Sequence, residues 1–414
     1  MAPLLPHKAA ETSRHRLRES PEDCAVNVTQ ITHHDLDGYG ASTVVGQFVD
    51  VSRIVHVPRY SDVGPVVEAE LKRLGKAREP EMIVMTDLGL EAVAVTFIKS
   101  FAALNRRRDA TARHRLIVLD HHASSLDQLR DGKLEARVDP EAPNVKRFDL
   151  EDPDIVVLID ETRCATRLAY EHRALYATGE AGTREAGEDP ILAALVTAVD
   201  AVDLWRKDRA EFRAGLSLDE MFWDNVSNLV PIGHPWHDRF VSDLLLGVAR
   251  LLGDGATPAG IEGQVGALRT AILDRYLADD AGDDRTLTTR MRIARVLARS
   301  DLFHPLSDGT LMSFGLDSGT FQRVSDLIME SGRASRVLNV QRAGTMSFRS
   351  NNETALEGAR RFRGGGHKDA AGGKLTSGTA FSLADAIAQV EPVLNPPAPD
   401  PSASPFGALK NWKG

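Results

Sequence analysis

Between about residue 25 and about residue 125, short apolar runs alternate with stretches whose apolar residues recur at helical spacing. Residues 25–32 (AVNVTQIT), 52–57 (SRIVHV), 81–86 (EMIVMT) and 115–120 (RLIVLD) read as buried strands, each bounded by polar or glycine-containing turns. Helical patterns such as VGPVVEAELKRLGK, which follows Ser61, fill the gaps. This alternation predicts an α/β domain with a parallel sheet covered by helices. Polar residues that follow such strands collect at the carboxyl edge of the sheet, where open α/β sheets take their ligands.

The pattern then changes. Two apolar helices are predicted in ETRCATRLAYEHRALYATG and DPILAALVTAVDAVDLW, followed by a mixed stretch with Trp223, His234 and Trp236 and by long amphipathic helices to about residue 300. A second, shorter α/β pattern begins near residue 308, with LMSFGL, FQRVSDLIMESG, RVLNVQR and TMSFRS leading to a glycine-rich turn. The expected fold class is therefore two α/β domains: a parallel-sheet domain over 25–215 and a smaller mixed-sheet domain over 308–394. A helical linker or insert over 216–307 joins them, and the site lies in the cleft. Residues 1–24 and the Pro/Ser-rich residues 395–414 read as flexible tails.

Composition supports two cores, with 42% hydrophobic and 26% charged residues. A net charge of -9 gives no general attraction to a polyanion, so any phosphate must be met locally. Cys24 and Cys164 form neither a disulfide framework nor a zinc ribbon. No signal-type apolar stretch opens the chain and no run of 18 apolar residues follows. The expectation is a cytoplasmic protein that does not bind membranes.

Chemistry gathers at the strand ends. The first strand runs into His33, His34, Asp35, Leu36, Asp37 and Gly38, and alternate residues of an extended chain point the same way. One imidazole and two carboxylates, from His33, Asp35 and Asp37, can thus converge. The third strand delivers Asp87, and the fourth ends in Asp120, His121 and His122. Each carboxylate alone has an ordinary reading as a helix cap or turn former. Repetition at successive strand ends is what favours a metal. Asp200 and Asp203 interrupt an otherwise apolar helix, and a charge buried there needs a partner or a metal. Asp203 falls nearer the solvent end, so Asp200 is the expected ligand.

This ordered set, His-x-Asp-x-Asp-Gly, an isolated strand-end Asp, Asp-His-His and a later Asp, resembles the motifs of the DHH phosphoesterase superfamily. Residues 364–372 (GGGHKDAAG) resemble the GGGHxxAAG signature of the DHH-associated C-terminal domain, and Arg349 falls where that domain carries a substrate-binding arginine. The resemblance implies two manganese ions, with magnesium, cobalt and iron left open. One ion would take His33 and Asp35, the other Asp37, His121 and Asp200, and Asp87 would bridge them. It further implies that His122 faces the substrate, that Asp120 orients its neighbours, and that Arg349, Gly364, Gly365, Gly366 and His367 bind substrate. His34 stands at a variable position of the motif.

The activity so implied is hydrolysis of phosphodiester or phosphate-ester bonds of short oligonucleotides, dinucleotides or nucleotide bisphosphates, with homodimerisation left open. A cyclic-dinucleotide phosphodiesterase, a RecJ-like exonuclease and a non-catalytic nucleotide-binding module are the alternatives. Tyr39, Trp205, Phe348 and Phe362 are read as core residues rather than base platforms, and Arg106, Arg107 and Arg108 as a solvated helix end or loop.

Overall fold

The computed structural model describes residues 26–139, 142–148, 150–178, 189–226, 229–380 and 382–396. The tails expected at 1–24 and 395–414 lie outside these residues, apart from Asn395 and Pro396, as does Cys24.

The N-terminal half alternates as its pattern predicts, through β1 (Asn27–His33), α1 (Leu36–Phe48), β2 (Arg53–Val57), α2 (Tyr60–Leu74), β3 (Glu81–Thr86), α3 (Ala92–Asn105), β4 (Arg115–Asp120) and α4 (Ala123–Asp131). Three further strands, β5 (Ala136–Asp139), β6 (Ala142–Phe148) and β7 (Ile155–Ile159), complete a seven-stranded sheet in the order β2-β1-β3-β4-β7-β6-β5. Neighbours from β2 to β7 run parallel, while β6 and β5 add an antiparallel edge.

Every position of β3 and of β7 is buried, as a sheet covered on both faces requires. Period-two alternation divides the strands between the faces. Ile31, Ile83, Met85, Val118 and Val157 pack under α2, α3 and α4. Val28, Val84, Ile117 and Leu119 pack on the other face against α1, α5 (Ala165–Glu171) and α6 (Pro190–Asp203).

That second core continues past residue 215. Helices α7 (Phe212–Asn225), α8 (His237–Gly253), α9 (Pro258–Tyr276) and α10 (Thr289–Arg299) bury Phe222, Phe240, Ile272 and Leu297 in it. The segment expected as a linker or insert is helical, and it is fused to the first domain by shared apolar contacts. From the C-terminal domain, α11 (Ser318–Glu330) adds Phe321, Val324 and Ile328 to the same core.

The second sheet consists of β8 (His304–Pro305), β9 (Leu311–Phe314), β10 (Arg336–Val340), β11 (Thr345–Ser350), β12 (Gly365–Gly366) and β13 (Ala370–Lys374), in the order β12-β13-β11-β10-β9-β8. Only the β9–β10 pair is parallel. Its own core, with Leu338, Phe348, Phe362 and Val390, lies against α12 (Ala355–Arg360) and α13 (Leu383–Leu394). Arg342, in the β10–β11 turn, donates to the Asp62 carboxylate of α2 at 2.7 Å and ties the two domains together. Among the described residues, no helix is long and apolar enough to cross a membrane.

Candidate metal centre

The carboxyl edge of the first sheet is built from backbone geometry upward. His33 closes β1, and Asp35 caps α1 by accepting from the Gly38 amide at 2.9 Å. A Cβ on Gly38 would stand 2.1 Å from the His33 carbonyl oxygen, so this sharp corner excludes any side chain. Asp37, in the first turn of α1, accepts from the Ala165 and Thr166 amides at 2.7 and 2.8 Å, at the start of α5. Those amides supply positive partial charge to a buried carboxylate.

Asp87 follows β3 with φ 55°, in the left-handed region. A non-glycine residue there costs on the order of 1–3 kcal/mol and persists because its surroundings hold it. Asp120 ends β4, and His121 and His122 follow it into α4.

These strand ends converge. His33 Nδ1 lies 2.6 Å from Asp35 Oδ2 and 3.9 Å from Asp87 Oδ2. His121 Nε2 lies 3.3 Å from Asp87 Oδ1 and 3.7 Å from both Asp37 Oδ2 and Asp203 Oδ2. Two compact donor groups result, His33 with Asp35 and Asp87, and Asp37 with His121 and Asp203. Asp87 forms a third group with His121 and His122, and so stands between the clusters.

Electrostatics mark the same centre. Asp87 Oδ2 is buried and makes no hydrogen bond, an arrangement costly for a carboxylate without a cation. Burial, and then the charges of Asp35 and Asp37, push the Asp87 carboxyl well above its ordinary range. Burial and the charges of Asp37 and Asp35 likewise push Asp203 up to about 9. Burial opposes ionisation of Asp35 too, but the His33 hydrogen bond outweighs it and brings that carboxyl down to about 2. Burial works against the charged form of His122, yet its 2.7 Å contact with Asp120 prevails and raises its pKa. Asp120 also accepts from the Ser125 hydroxyl. On its other side, His122 Nε2 meets the Tyr60 hydroxyl at 3.0 Å.

The last expected ligand, Asp200, is placed differently from the others. Asp200 is buried, but its carboxylate accepts from the Cys164 amide at 3.1 Å and pairs with Arg206 at 2.9 Å and Arg167 at 3.2 Å. Its charge is met by cations, and the acid that joins His121 and Asp37 is Asp203. Asp203 is the last residue of α6, and its carboxylate reaches His121 Nε2 at 3.7 Å although the residue is exposed.

The C-terminal candidates stand apart from this centre. Among the described residues, no hydrogen bond or ion pair joins Arg349 or residues 364–367 to the cluster. Arg349 Nε donates to Gln322 Oε1 at 2.8 Å and Nη1 to the Phe348 carbonyl, with its guanidinium over the Phe321 ring. A Cβ on Gly364 would meet the Gly372 carbonyl at 2.0 Å, and Gly366 has φ 138°. Packing of β12 on β13 therefore explains both glycines. Gly365 faces open space, and His367 is exposed, with its amide donating to the Ala370 carbonyl.

His34 packs against Tyr39, His56 and Trp223 rather than joining the cluster, and burial lowers its pKa to about 4. Tyr39, Phe348 and Phe362 are core residues, as expected, whereas Trp205 is 59% exposed. Arg108 spends its guanidinium on the carbonyls of Ala77, Arg78 and Ala112. Cys164 is a buried free thiol. Sequence reasoning missed Tyr60, whose ring stacks parallel to His33 with centroids 5.4 Å apart. Its available signal was its position just past β2, on the same sheet edge as the motifs.

No family model matches the chain, and no curated protein does. Among solved structures, an uncharacterized protein from Helicobacter pylori G27 superposes with a TM-score of 0.66 at 21% identity, covering 89% of this chain and 99% of that one. RecJ in complex with Mn2+ from Thermus thermophilus aligns at 17% identity over 84% of this chain and 49% of its own, with a TM-score of 0.25. The pGpG-specific phosphodiesterase PggH from Vibrio aligns at 12% identity over 87% of this chain and 95% of its own, with a TM-score of 0.26. Those two scores are too low to carry an argument. His33, Asp35, Asp37, Asp87, His121 and His122, from the motifs of the first domain, stand together at one sheet edge, and the Helicobacter protein shares the fold.

Proposed function

We propose that this chain is a two-metal phosphoesterase of the DHH type, acting on phosphodiester or phosphate-ester bonds of short oligonucleotides, dinucleotides or nucleotide bisphosphates. The observation that carries this reading is the convergence of separate strand ends on Asp87, whose buried Oδ2 lacks any hydrogen-bond partner.

The donor set fits divalent cations. Mixed imidazole and carboxylate ligands suit manganese, with magnesium, cobalt and iron as competitors. His33, Asp35 and Asp87 would hold one ion, and Asp37, His121 and Asp203 the other, with Asp87 shared. When bound, such ions supply Lewis-acid charge for phosphoryl oxygens and acidify a water that can attack phosphorus.

The remaining residues prepare the site. Asp120 fixes His122 by its hydrogen bond to Nδ1, which leaves Nε2 beside the Tyr60 hydroxyl at the edge of the cluster. The Asp120 contact favours the protonated form of His122, and a protonated histidine at that place can pass a proton to a departing oxygen. The α5 amides orient Asp37, and the Gly38 corner sets the spacing of His33 and Asp35. Arg349, Gly365 and His367 are proposed as the arm that takes the far end of the substrate.

The test is hydrolysis of bis-p-nitrophenyl phosphate, dinucleotides, cyclic dinucleotides, bisphosphates and pyrophosphate by chelated protein, with and without added manganese. Turnover of a phosphate ester that appears with manganese is the expected result. A folded, manganese-loaded protein inert toward the whole panel would instead make the chain a nucleotide-binding module.

A further inference from the structure

An imidazole serves a metal or passes a proton only when its neighbours fix the ring, so what holds His33 and His122 matters as much as their presence. Each has a carboxylate on Nδ1, from Asp35 and Asp120 respectively. The terminal torsion of a histidine is broad, and one hydrogen bond still lets the ring tilt. Tyr60, which belongs to none of the motifs, touches both rings. It lies parallel to His33, with planes at 13° and centroids 5.4 Å apart, and edge-on to His122, with planes at 86° and centroids 6.0 Å apart. Both arrangements are favourable for aromatic rings at that range. Its hydroxyl meets His122 Nε2 at 3.0 Å. The seat is close, since a Cβ on Gly89 would stand 3.1 Å from Tyr60 Cε1 and 3.7 Å from His122 Cγ. Core packing does not account for a tyrosine here, because the residue is 37% exposed.

Where Tyr60 sits depends on the first turn of α2, which it opens. The preceding residue, Arg59, supplies no side-chain cap to that turn. Asp62 holds it instead. The Asp62 amide donates to the Arg59 carbonyl at 2.9 Å, and its buried carboxylate accepts from Arg59 Nε and Nη2, both at 3.2 Å. The shortest of its bonds comes from the other domain, from Arg342 Nη1 at 2.7 Å. A charge-assisted bond of that length is among the strong ones. Arg342 is itself fixed in the β10–β11 turn, where its carbonyl accepts from the Ala380 amide at 2.9 Å and the Gly344 amide closes onto the Gln341 carbonyl at 2.8 Å. A chain of contacts therefore runs from the second domain through Arg342, Asp62 and one helical turn to Tyr60, and from there to two imidazoles of the centre.

We propose that Tyr60 is a positioning residue for the metal centre, holding His33 by its ring and His122 by its hydroxyl, and that Arg342 of the second domain keeps it in place through Asp62. The hydroxyl suits either state of His122, since it donates to a bare Nε2 and accepts from a protonated one. The second domain thereby conditions a centre to which Arg349 and residues 364–367 make no hydrogen bond or ion pair. The inference rests on the phosphoesterase reading only for what His122 does with its proton. The hold on His33 concerns metal binding and stands without turnover.

The experiment uses the full chain. It measures manganese affinity by calorimetry on chelated protein, and hydrolysis of two esters by one preparation at saturating manganese. Bis-p-nitrophenyl phosphate releases a phenolate that leaves without a proton, whereas a dinucleotide releases an alkoxide that needs one. Tyr60→Phe keeps the ring, so manganese affinity should stay within about twofold, while turnover of the dinucleotide falls about tenfold and that of the p-nitrophenyl ester less than about threefold. Tyr60→Ala should weaken manganese binding about threefold to tenfold, and Arg342→Ala should weaken it by up to the same factor. The double variant should bind manganese no more weakly than Tyr60→Ala alone, because Arg342 acts through Tyr60. Losses that add up in the double variant, or alanine variants that bind manganese as the parent does, would overturn the positioning role. Equal losses on the two esters for Tyr60→Phe would overturn the hold on His122. A parent inert toward both esters, whose alanine variants still lose manganese affinity in this non-additive way, would overturn the phosphoesterase reading alone.

Discussion

The carboxyl edge of the first sheet and the glycine-rich edge of the second carry equally conspicuous motifs, yet their side chains are satisfied in opposite ways. At the first edge, Asp87 keeps a buried oxygen without a partner, and Asp203 is driven to about 9 by burial and by its acidic neighbours. Among the described residues, the basic partners of these two acids are the imidazoles of His33 and His121, and no lysine or arginine pairs with them. At the second edge, Arg349 is already held by Gln322 and by the Phe348 carbonyl, and Gly364 and Gly366 are dictated by strand packing. Where the fold accounts for a motif residue, as it does for Gly364 and Gly366, that residue says little about ligand. A motif that leaves a buried carboxylate oxygen without a hydrogen bond, beside imidazoles and further acids, is a group that could hold a cation.

The sharpest break in that contrast comes from Asp87→Ala. It removes little apolar surface but takes away the acid shared by both donor groups. Phosphoesterase turnover should fall by roughly a thousandfold or more, in the range seen when a group acting as part of a unit is lost. Metal content by elemental analysis should drop while the circular dichroism of the fold is kept. Substantial residual turnover at saturating manganese would remove Asp87 from the bridging place.

The next largest effect separates two acids of one helix. Asp203→Asn should lower turnover about a hundredfold and reduce bound metal, since it withdraws a charged ligand. Asp200→Asn should leave metal content intact and instead cost stability, on the order of 3 kcal/mol, because Arg167 and Arg206 lose a buried counter-charge. Thermal melts and metal analysis of the two variants side by side decide the assignment. The reverse pattern would return Asp200 to the metal.

That pair also shows how far the sequence could be read. The four parallel strands and the residues that follow them were legible because short β-branched and apolar runs bounded by turns mark strands, and polar clusters recur at the ends of three of them. Asp200 and Asp203 were not separable, since both lie on one apolar helix and the choice depends on where α6 meets the sheet and on two arginines elsewhere in the chain. β6 escaped notice for a different reason: its residues are mostly exposed or half-buried, so no alternation marks it. β7, IVVLI, is apolar throughout and could have been found. The exposure of Trp205 and Trp223 was invisible, because an aromatic residue near a motif looks the same whether its ring faces the core or the solvent.

A third effect tests the uncompensated charge without any substitution. The Asp203 carboxyl has a folded-state pKa raised to about 9, above its ordinary 3.8. The folded state therefore binds more protons than the unfolded one in that window, and stability must fall as pH rises through it. Chelated protein should lose melting temperature between about pH 5 and pH 9 more steeply than metal-loaded protein. Manganese at a hundred times its dissociation constant should add about 2.7 kcal/mol for each site. Scanning calorimetry across that range checks both; a metal-free protein whose stability is flat or rising up to pH 9 would contradict the electrostatic picture of the centre.

The smallest expected effect probes the other edge. Arg349→Ala leaves every cluster residue untouched, so metal content should not change. If the guanidinium leaves Gln322 to hold a substrate phosphate or terminal group, one charge-assisted hydrogen bond is lost, worth about 1.5–3 kcal/mol. The fall in kcat/KM on a dinucleotide should then be about tenfold to a hundredfold. Bis-p-nitrophenyl phosphate has no far end to reach the second domain and should be affected much less. Steady-state kinetics on both substrates with one enzyme preparation distinguish the outcomes. Equal losses would place Arg349 at the reacting phosphate, which would require the second sheet to close onto the first. No loss on either would leave Arg349 as what its present contacts describe, a cation over Phe321 that fastens β11 to α11.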